Sequence, residues 1–349
     1  MFVFLISDND LDDHTEYIID DLIRGLKGCS AGSELFLYVD RQTDTPYLRH
    51  FVLLEFGQVR TRMIKAYQEQ YSTSPSVFKD ILKTMITESS SERYGLIYWS
   101  HGSGWLPANE APEVFKALTK AIGVDGPYSM GVLDMADILS FTKAPYFLLF
   151  DACFMGSVEV VYALRNSADY IIASPAEMLG IGFPYHSMLP ELIKGTRESL
   201  AASISAYMDF CYTDVYEEGM VSGIASLIDC NEMDGLAEIF KILVSNDHDS
   251  IDRKSIQTFD CYSPNLYFDL GNYAVVLSTD TILYFAFERQ LERTIVRKVN
   301  TPSVFTQTGS RDSILLIRTY SGLSTYIPGT YLDGSYYKNE WYRYCHEAE

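Results

Sequence analysis

The chain opens on six consecutive apolar or small residues, Phe2-Val3-Phe4-Leu5-Ile6-Ser7, the pattern of a strand buried on both faces. Polar Asp8-Asn9-Asp10 follows and predicts a helix cap. Leu11, Ile18, Ile19, Leu22, Ile23 and Leu26 then recur at helical spacing. Asp12 and Asp13 fall in the first turn of this helix, where its dipole favours acids. The alternation repeats. Strands are predicted at 35–39, 94–99, 146–150 and 169–173, and helices at 77–87, 133–141 and 158–165. A polar stretch with Pro and Gly runs to about residue 130. Strands alternating with helices predict a mostly parallel sheet covered on both faces, with its site at the carboxyl ends of the strands.

Leu200, Ile204, Tyr207, Met208 and Cys211 form a further helical stripe, as do Met233, Leu236, Ala237, Phe240, Leu243 and Val244. Such stripes are usually core faces rather than cofactor boxes. The charged run at 246–255 reads as a boundary. It predicts a catalytic domain over 1–245 and a smaller α+β domain over 246–349 packed on it.

Composition narrows the function. The 349 residues carry 27 Lys and Arg against 47 Asp and Glu, a net charge of −20. That balance argues against a nucleic-acid partner, whose phosphates need clustered cations. It suits solubility, and also a basic substrate drawn in by the protein's field. The six cysteines are scattered and form no Cys-x-x-Cys pair, so no zinc site is predicted. No apolar run approaches the roughly 18 residues of a membrane span, and no signal peptide is visible in the chain.

Familiar motifs fail one by one. Pro107 and Tyr185 break the two Gly-x-Gly starts of a dinucleotide fingerprint. Asp13 and Ile19 break an EF-hand reading of the Asp8 region. Neither a serine-hydrolase elbow nor a His-Glu-x-x-His helix is present.

Two segments hold. Leu96-Ile97-Tyr98-Trp99-Ser100-His101-Gly102 and Phe147-Leu148-Leu149-Phe150-Asp151-Ala152-Cys153 each end an apolar strand on a reactive side chain. Singly, a Cys there is usually core and a His before Gly usually surface. Together, 52 residues apart, they predict a nucleophile with its proton-transfer partner on one sheet edge. A thiol attacks a carbonyl as thiolate, and the imidazole moves the proton. The Gly102 N–H, unobstructed by a side chain, and the Cys153 N–H would hold the oxyanion. The helix after Cys153 would favour thiolate at its N-terminus.

At these residues the sequence resembles the clostripain family of cysteine peptidases, relatives of caspases, legumains and gingipains. Asp8-Asn9-Asp10-Leu11, His101-Gly102-Ser103-Gly104-Trp105 and Asp151-Ala152-Cys153-Phe154-Met155-Gly156-Ser157 with Glu159 and Tyr162 carry the likeness. Tyr267-Phe268-Asp269-Leu270-Gly271 and Gly322-Leu323-Ser324-Thr325-Tyr326-Ile327-Pro328 extend it toward the C-terminus. The resemblance implies a caspase-like α/β/α sandwich and an endopeptidase cleaving after Arg or Lys. It implies a Cys/His dyad with no obligatory third member, and Asp151 in the S1 pocket. It implies self-cleavage between the His and Cys motifs, where Lys116 and Lys120 each precede Ala. It also implies a secreted or cell-envelope bacterial protein with peptide substrates and no resident cofactor. Some members need calcium, but no residues here identify a site. The chain departs from the family after Ser174. There Ser174-Pro175-Ala176-Glu177 makes Ser174 and Glu177 the candidates for the S1 rim. A non-catalytic peptide-binding member and a peptidase of different P1 preference remain the alternatives.

Overall fold

The computed structural model describes residues 1–106, 122–213, 221–245, 251–278, 280–307, 313–330 and 332–346. Strands are β1 (Phe2–Ser7), β2 (Glu34–Arg41), β3 (Asp44–Leu53), β4 (Val59–Ala66), β5 (Gly95–Trp99), β6 (Ile122–Asp125), β7 (Tyr128–Met130), β8 (Phe147–Asp151), β9 (Tyr170–Ala173), β10 (Ile224–Asp229), β11 (Phe268–Asp269), β12 (Ile295–Asn300), β13 (Ser303–Thr306), β14 (Ser313–Leu316) and β15 (Ser324–Thr325). Among the described residues, nine of them form one sheet in the order β12-β10-β9-β8-β5-β1-β2-β3-β4. The central run from β9 to β2 is parallel throughout. The outer pairs are antiparallel.

Period-two packing explains why the centre reads as unbroken apolar runs. Phe2, Phe4 and Ile6 enter one core while Val3 and Leu5 enter the other. Helices α1 (Thr15–Lys27), α5 (Tyr185–Lys194) and α6 (Arg197–Thr213) cover the Val3 face through Ile18, Leu22, Leu189 and Ile204. Helices α2 (Pro75–Glu88), α3 (Val132–Ser140), α4 (Val158–Leu164) and α7 (Met233–Val244) cover the other through Phe78, Met135, Val161 and Phe240. This is the α/β/α sandwich that the alternation predicts. No described helix is long and apolar enough to cross a membrane.

The structure differs from the sequence reading in three places. The Asp8–Asp10 segment does not cap α1, which starts at Thr15 without a side-chain cap. Instead Asn9 stitches a loop. Its Nδ2 donates to Ile6 O (3.2 Å) and Val124 O (2.7 Å), and its Oδ1 accepts from Leu11 N. The stretch read as polar loop up to residue 130 contains the β6–β7 hairpin. The boundary expected at 246–255 is crossed by the sheet itself, because β12 pairs with β10 at its edge. Helices α8 (Leu270–Leu277), α9 (Thr281–Thr294), α10 (Asp333–Tyr336) and α11 (Glu340–His346) add Ala274, Phe287, Tyr336 and Trp341 to the same core as α7.

Candidate active site

Strands β5 and β8 pair in parallel with Trp99 opposite Asp151. His101 and Cys153 each lie two residues past that pair, so backbone register sets them side by side on strands about 4.8 Å apart. The 52-residue chain gap is absorbed by the connection between the strands. Both side chains border one cavity of about 490 Å3, together with Asp10, Gly102, Asp151 and Glu177.

The two strand-end loops are pressed together. A Cβ on Gly102 would stand 2.6 Å from Cys153 O and 3.2 Å from Cys153 N, so the approach requires glycine. Gly104 adopts φ +59°, and a Cβ there would reach 2.7 Å from Phe154 O.

The histidine loop is held by neighbouring strands. Ser100 Oγ donates to Ile6 O and accepts from Val124 N, and Gly123 N donates to His101 O. His101 Nε2 lies 2.5 Å from Asp10 Oδ1, a contact the sequence reading did not anticipate. Asp10 sits in the Asn9 loop, within a motif already singled out, and the folding of that loop over β6 delivers its carboxylate.

The Cys153 loop, which would carry the nucleophile, turns sharply at Phe154, a non-glycine residue at φ +62°. Phe154 N donates to Ala176 O (3.0 Å) and Gly156 N to Ser174 O (2.7 Å). The partners of Cys153 Sγ correct the expectation of a helix N-terminus. Helix α4 starts only at Val158, and Sγ accepts instead from Met178 N (3.2 Å), with Met178 O at 3.8 Å. Burial, and next the charge of Glu177, push the thiol up to about 12, and the Met178 N–H opposes them. The resting sulfur is therefore a protonated thiol.

Asp151 is buried at 2% exposure. Its Oδ2 accepts from Phe183 N (2.8 Å) and Tyr185 Oη (2.7 Å), while Oδ1 has no hydrogen-bond partner. Burial raises its pKa to about 7, against the pull of those two bonds. Glu177 borders the cavity and accepts from Gln307 N. Ser174 lies elsewhere. It is fully buried, and its hydroxyl closes a turn with the N–H and C=O of Ala176 instead of reaching the cavity lining. Lys116 and Lys120 lie outside the described residues.

The C-terminal motifs brace the nucleophile loop. Tyr267 stacks on Phe154 (4.3 Å between centroids) and donates to Ser103 O (2.6 Å). Buried Glu159, at the start of α4, accepts from Thr325 Oγ1 (2.9 Å) and Tyr326 N (2.8 Å). Among the described residues, no group of three or more His, Cys, Asp or Glu converges on a metal site.

Comparison with known proteins converges on one family. Clostripain from Hathewaya histolytica is 29% identical over 153 residues, which is 40% of this chain and 28% of that protein. The crystal structure of an inactive zymogen C11 protease from Parabacteroides distasonis has a TM-score of 0.86 at 27% identity. It covers 99% of this chain and 97% of its own. A clostripain from Bacteroides thetaiotaomicron, solved with the peptide inhibitor BTN-VLTK-AOMK, has a TM-score of 0.59 at 30% identity. It covers 65% of this chain and 99% of its own. The sequence model of the clostripain family matches residues 3–322, nearly the whole length, and the chain belongs to the clostripain family of cysteine peptidases.

Proposed function

We propose that this protein hydrolyses peptide bonds after arginine or lysine, with Cys153 as nucleophile and His101 as its proton-transfer partner. The observation that carries the reading is the β5–β8 register. It sets both side chains on one cavity beside Asp151, a buried carboxylate with one unpartnered oxygen. The peptide bound by the Bacteroides clostripain, VLTK, ends in lysine and supports the same preference.

Chemistry follows from the geometry. Cys153 Sγ bonds to the scissile carbonyl carbon while its proton passes to His101. The carbonyl oxygen becomes an oxyanion facing the N–H groups of Gly102 and Cys153. The C–N bond breaks as His101 returns the proton to the leaving amine, giving a thioester. Water then attacks, His101 takes its proton, and the S–C bond breaks. Asp10 pairs with the imidazole through Nε2, which stabilises the imidazolium as the proton arrives. A P1 cation beside Asp151 and Glu177 offsets the two negative charges that raise the thiol pKa, so the substrate itself promotes thiolate formation. Self-cleavage after Lys116 or Lys120 is part of this reading. A Lys116→Ala, Lys120→Ala double variant that is still cut at those positions would remove it.

The test uses matched fluorogenic peptides ending in Arg, Lys, Asp or Asn, with wild type and Cys153→Ala. Turnover confined to Arg and Lys, and lost in the variant, is the expected result. Peptide binding without turnover would establish the non-catalytic alternative.

A further inference from the structure

We propose that a second, basic cavity beside the cleft is an exosite for acidic residues in substrates, displaced along the chain from the cleavage point. The proposal rests on the peptidase reading above. The cavity measures about 740 Å3 and is bordered by Arg253, Lys254 and Arg318 with Gln257 and Asn272. Among the described residues none in its lining is Asp or Glu, although 47 of the 349 residues are acidic. Three cations with no acid among the described lining residues run against the chain's net charge of −20.

These cations are not spent on internal ion pairs among the described residues. Arg253 is fixed by donating to Ile327 O and by lying over the Phe268 ring, 5.2 Å from its centroid. The neighbouring Asp252 is occupied as a cap, accepting from the backbone N–H of Lys254. The Lys254 and Arg318 side chains are exposed. A carboxylate entering the cavity meets a fixed guanidinium with two mobile cations beside it, the geometry that suits acidic side chains.

The cavity's place in the fold ties it to the cleft. Val304 pairs with Leu315 and Phe305 with Ile314 across the β13–β14 hairpin. Phe305 and Gln307 border the nucleophile cavity, and Leu315 and Leu316 border the basic one. The 262–264 loop is shared in the same way, Tyr262 facing the first cavity and Pro264 the second. The two sites flank one two-stranded ribbon. Crossing it takes about 10 Å, some three residues of extended peptide. A substrate with its basic residue at Asp151 therefore reaches the second cavity once its chain has run across the first cavity and the ribbon, where the wider protein field would repel its acids and these cations accept them.

The experiment compares a short fluorogenic peptide of basic P1 with versions extended at either end by glutamates or by glutamines. Wild type is set against Lys254→Glu, Arg318→Glu, which leaves Arg253 and the cleft intact. The expected result is a KM lower by roughly three- to tenfold for the glutamate extension at one end, lost at high salt. In the double variant that difference disappears while the short peptide is cleaved as before. Equal KM values for glutamate and glutamine at both ends, or a preference that survives the double substitution, overturn the exosite. Failure to cleave even the short peptide refutes the peptidase reading instead. Fluorescence anisotropy of a labelled glutamate peptide then judges the cavity, and absence of binding sinks it.

Discussion

The two loops that meet at the cleft are built from different parts of the chain. The histidine loop is secured through the Ser100 hydroxyl on Ile6 O and Val124 N, through Gly123 N on His101 O, and through the Tyr267 hydroxyl on Ser103 O. The Cys153 loop is secured from nearby in the chain by Ser174 O, Ala176 O and Met178 N, and from more than a hundred positions away by the Tyr267 ring and the Glu159 contacts to Thr325 and Tyr326. The first draws chiefly on the N-terminal half of the chain. The second ties the position of Cys153 to the C-terminal third as well. Gly102 is the seam between them.

The comparison can be broken or sharpened by substitution. Gly102→Ala forces a methyl to within 2.6 Å of Cys153 O and separates the loops. We expect kcat/KM to fall by on the order of 10²-fold or more with little change in melting temperature, because a misplacement of this size disrupts the reacting geometry. Asp151→Asn removes the charge proposed to pair with a P1 cation. Activity on Arg and Lys peptides should fall by roughly 10²-fold, with the loss mainly in KM. In wild type, that activity should rise with pH through about 7 as the carboxyl ionises, and the rise should vanish in the variant. Asp10→Asn touches only the histidine loop. Its kcat should drop about tenfold with KM unchanged, and unchanged kcat would remove Asp10 from the mechanism.

The last effect concerns stability. Asp151, Glu159 and Asp260 are each pushed to about 7 by burial, and all three belong to or brace the nucleophile side. Their folded pKa values exceed those of an unfolded chain, near 4. The stability from holding these protons is full below that lower value and is lost as pH rises through about 7, on the order of a few kcal/mol for each group. Melting temperature should decline from pH 5 to 8, and Glu159→Gln should flatten the slope. An identical slope in that variant would show that Glu159 does not take part in it.

What was legible in the sequence follows the same division. Strands β1, β5 and β8 are buried on both faces and announce themselves as apolar runs, and their ends carry Cys153 and His101. The β3–β4 hairpin did not, since β4 lies largely exposed at the sheet edge and lacks an apolar signature. Nor did β12, which joins the sheet across a charged break in the chain. The Met178 N–H on the sulfur was invisible because a backbone donor leaves no mark on residue type. Ser174 was read as pocket rim from its position in a motif, yet a buried hydroxyl is satisfied most cheaply by its own turn. Asp10 stood in a motif, but only the fold of its loop reveals that its carboxylate meets the imidazole.

The contact of Glu159 with Thr325 and Tyr326 also orders events during synthesis. A nascent chain presents His101 and Cys153 to the cell long before residue 326 leaves the ribosome. The Phe154 turn lacks the ring beneath it until Tyr267 is made, and the helix after Cys153 lacks its anchor until residue 326 is made. His101 and Cys153 are thus made before the segment that braces the Cys153 loop, and the last part of the chain to be translated supplies that brace.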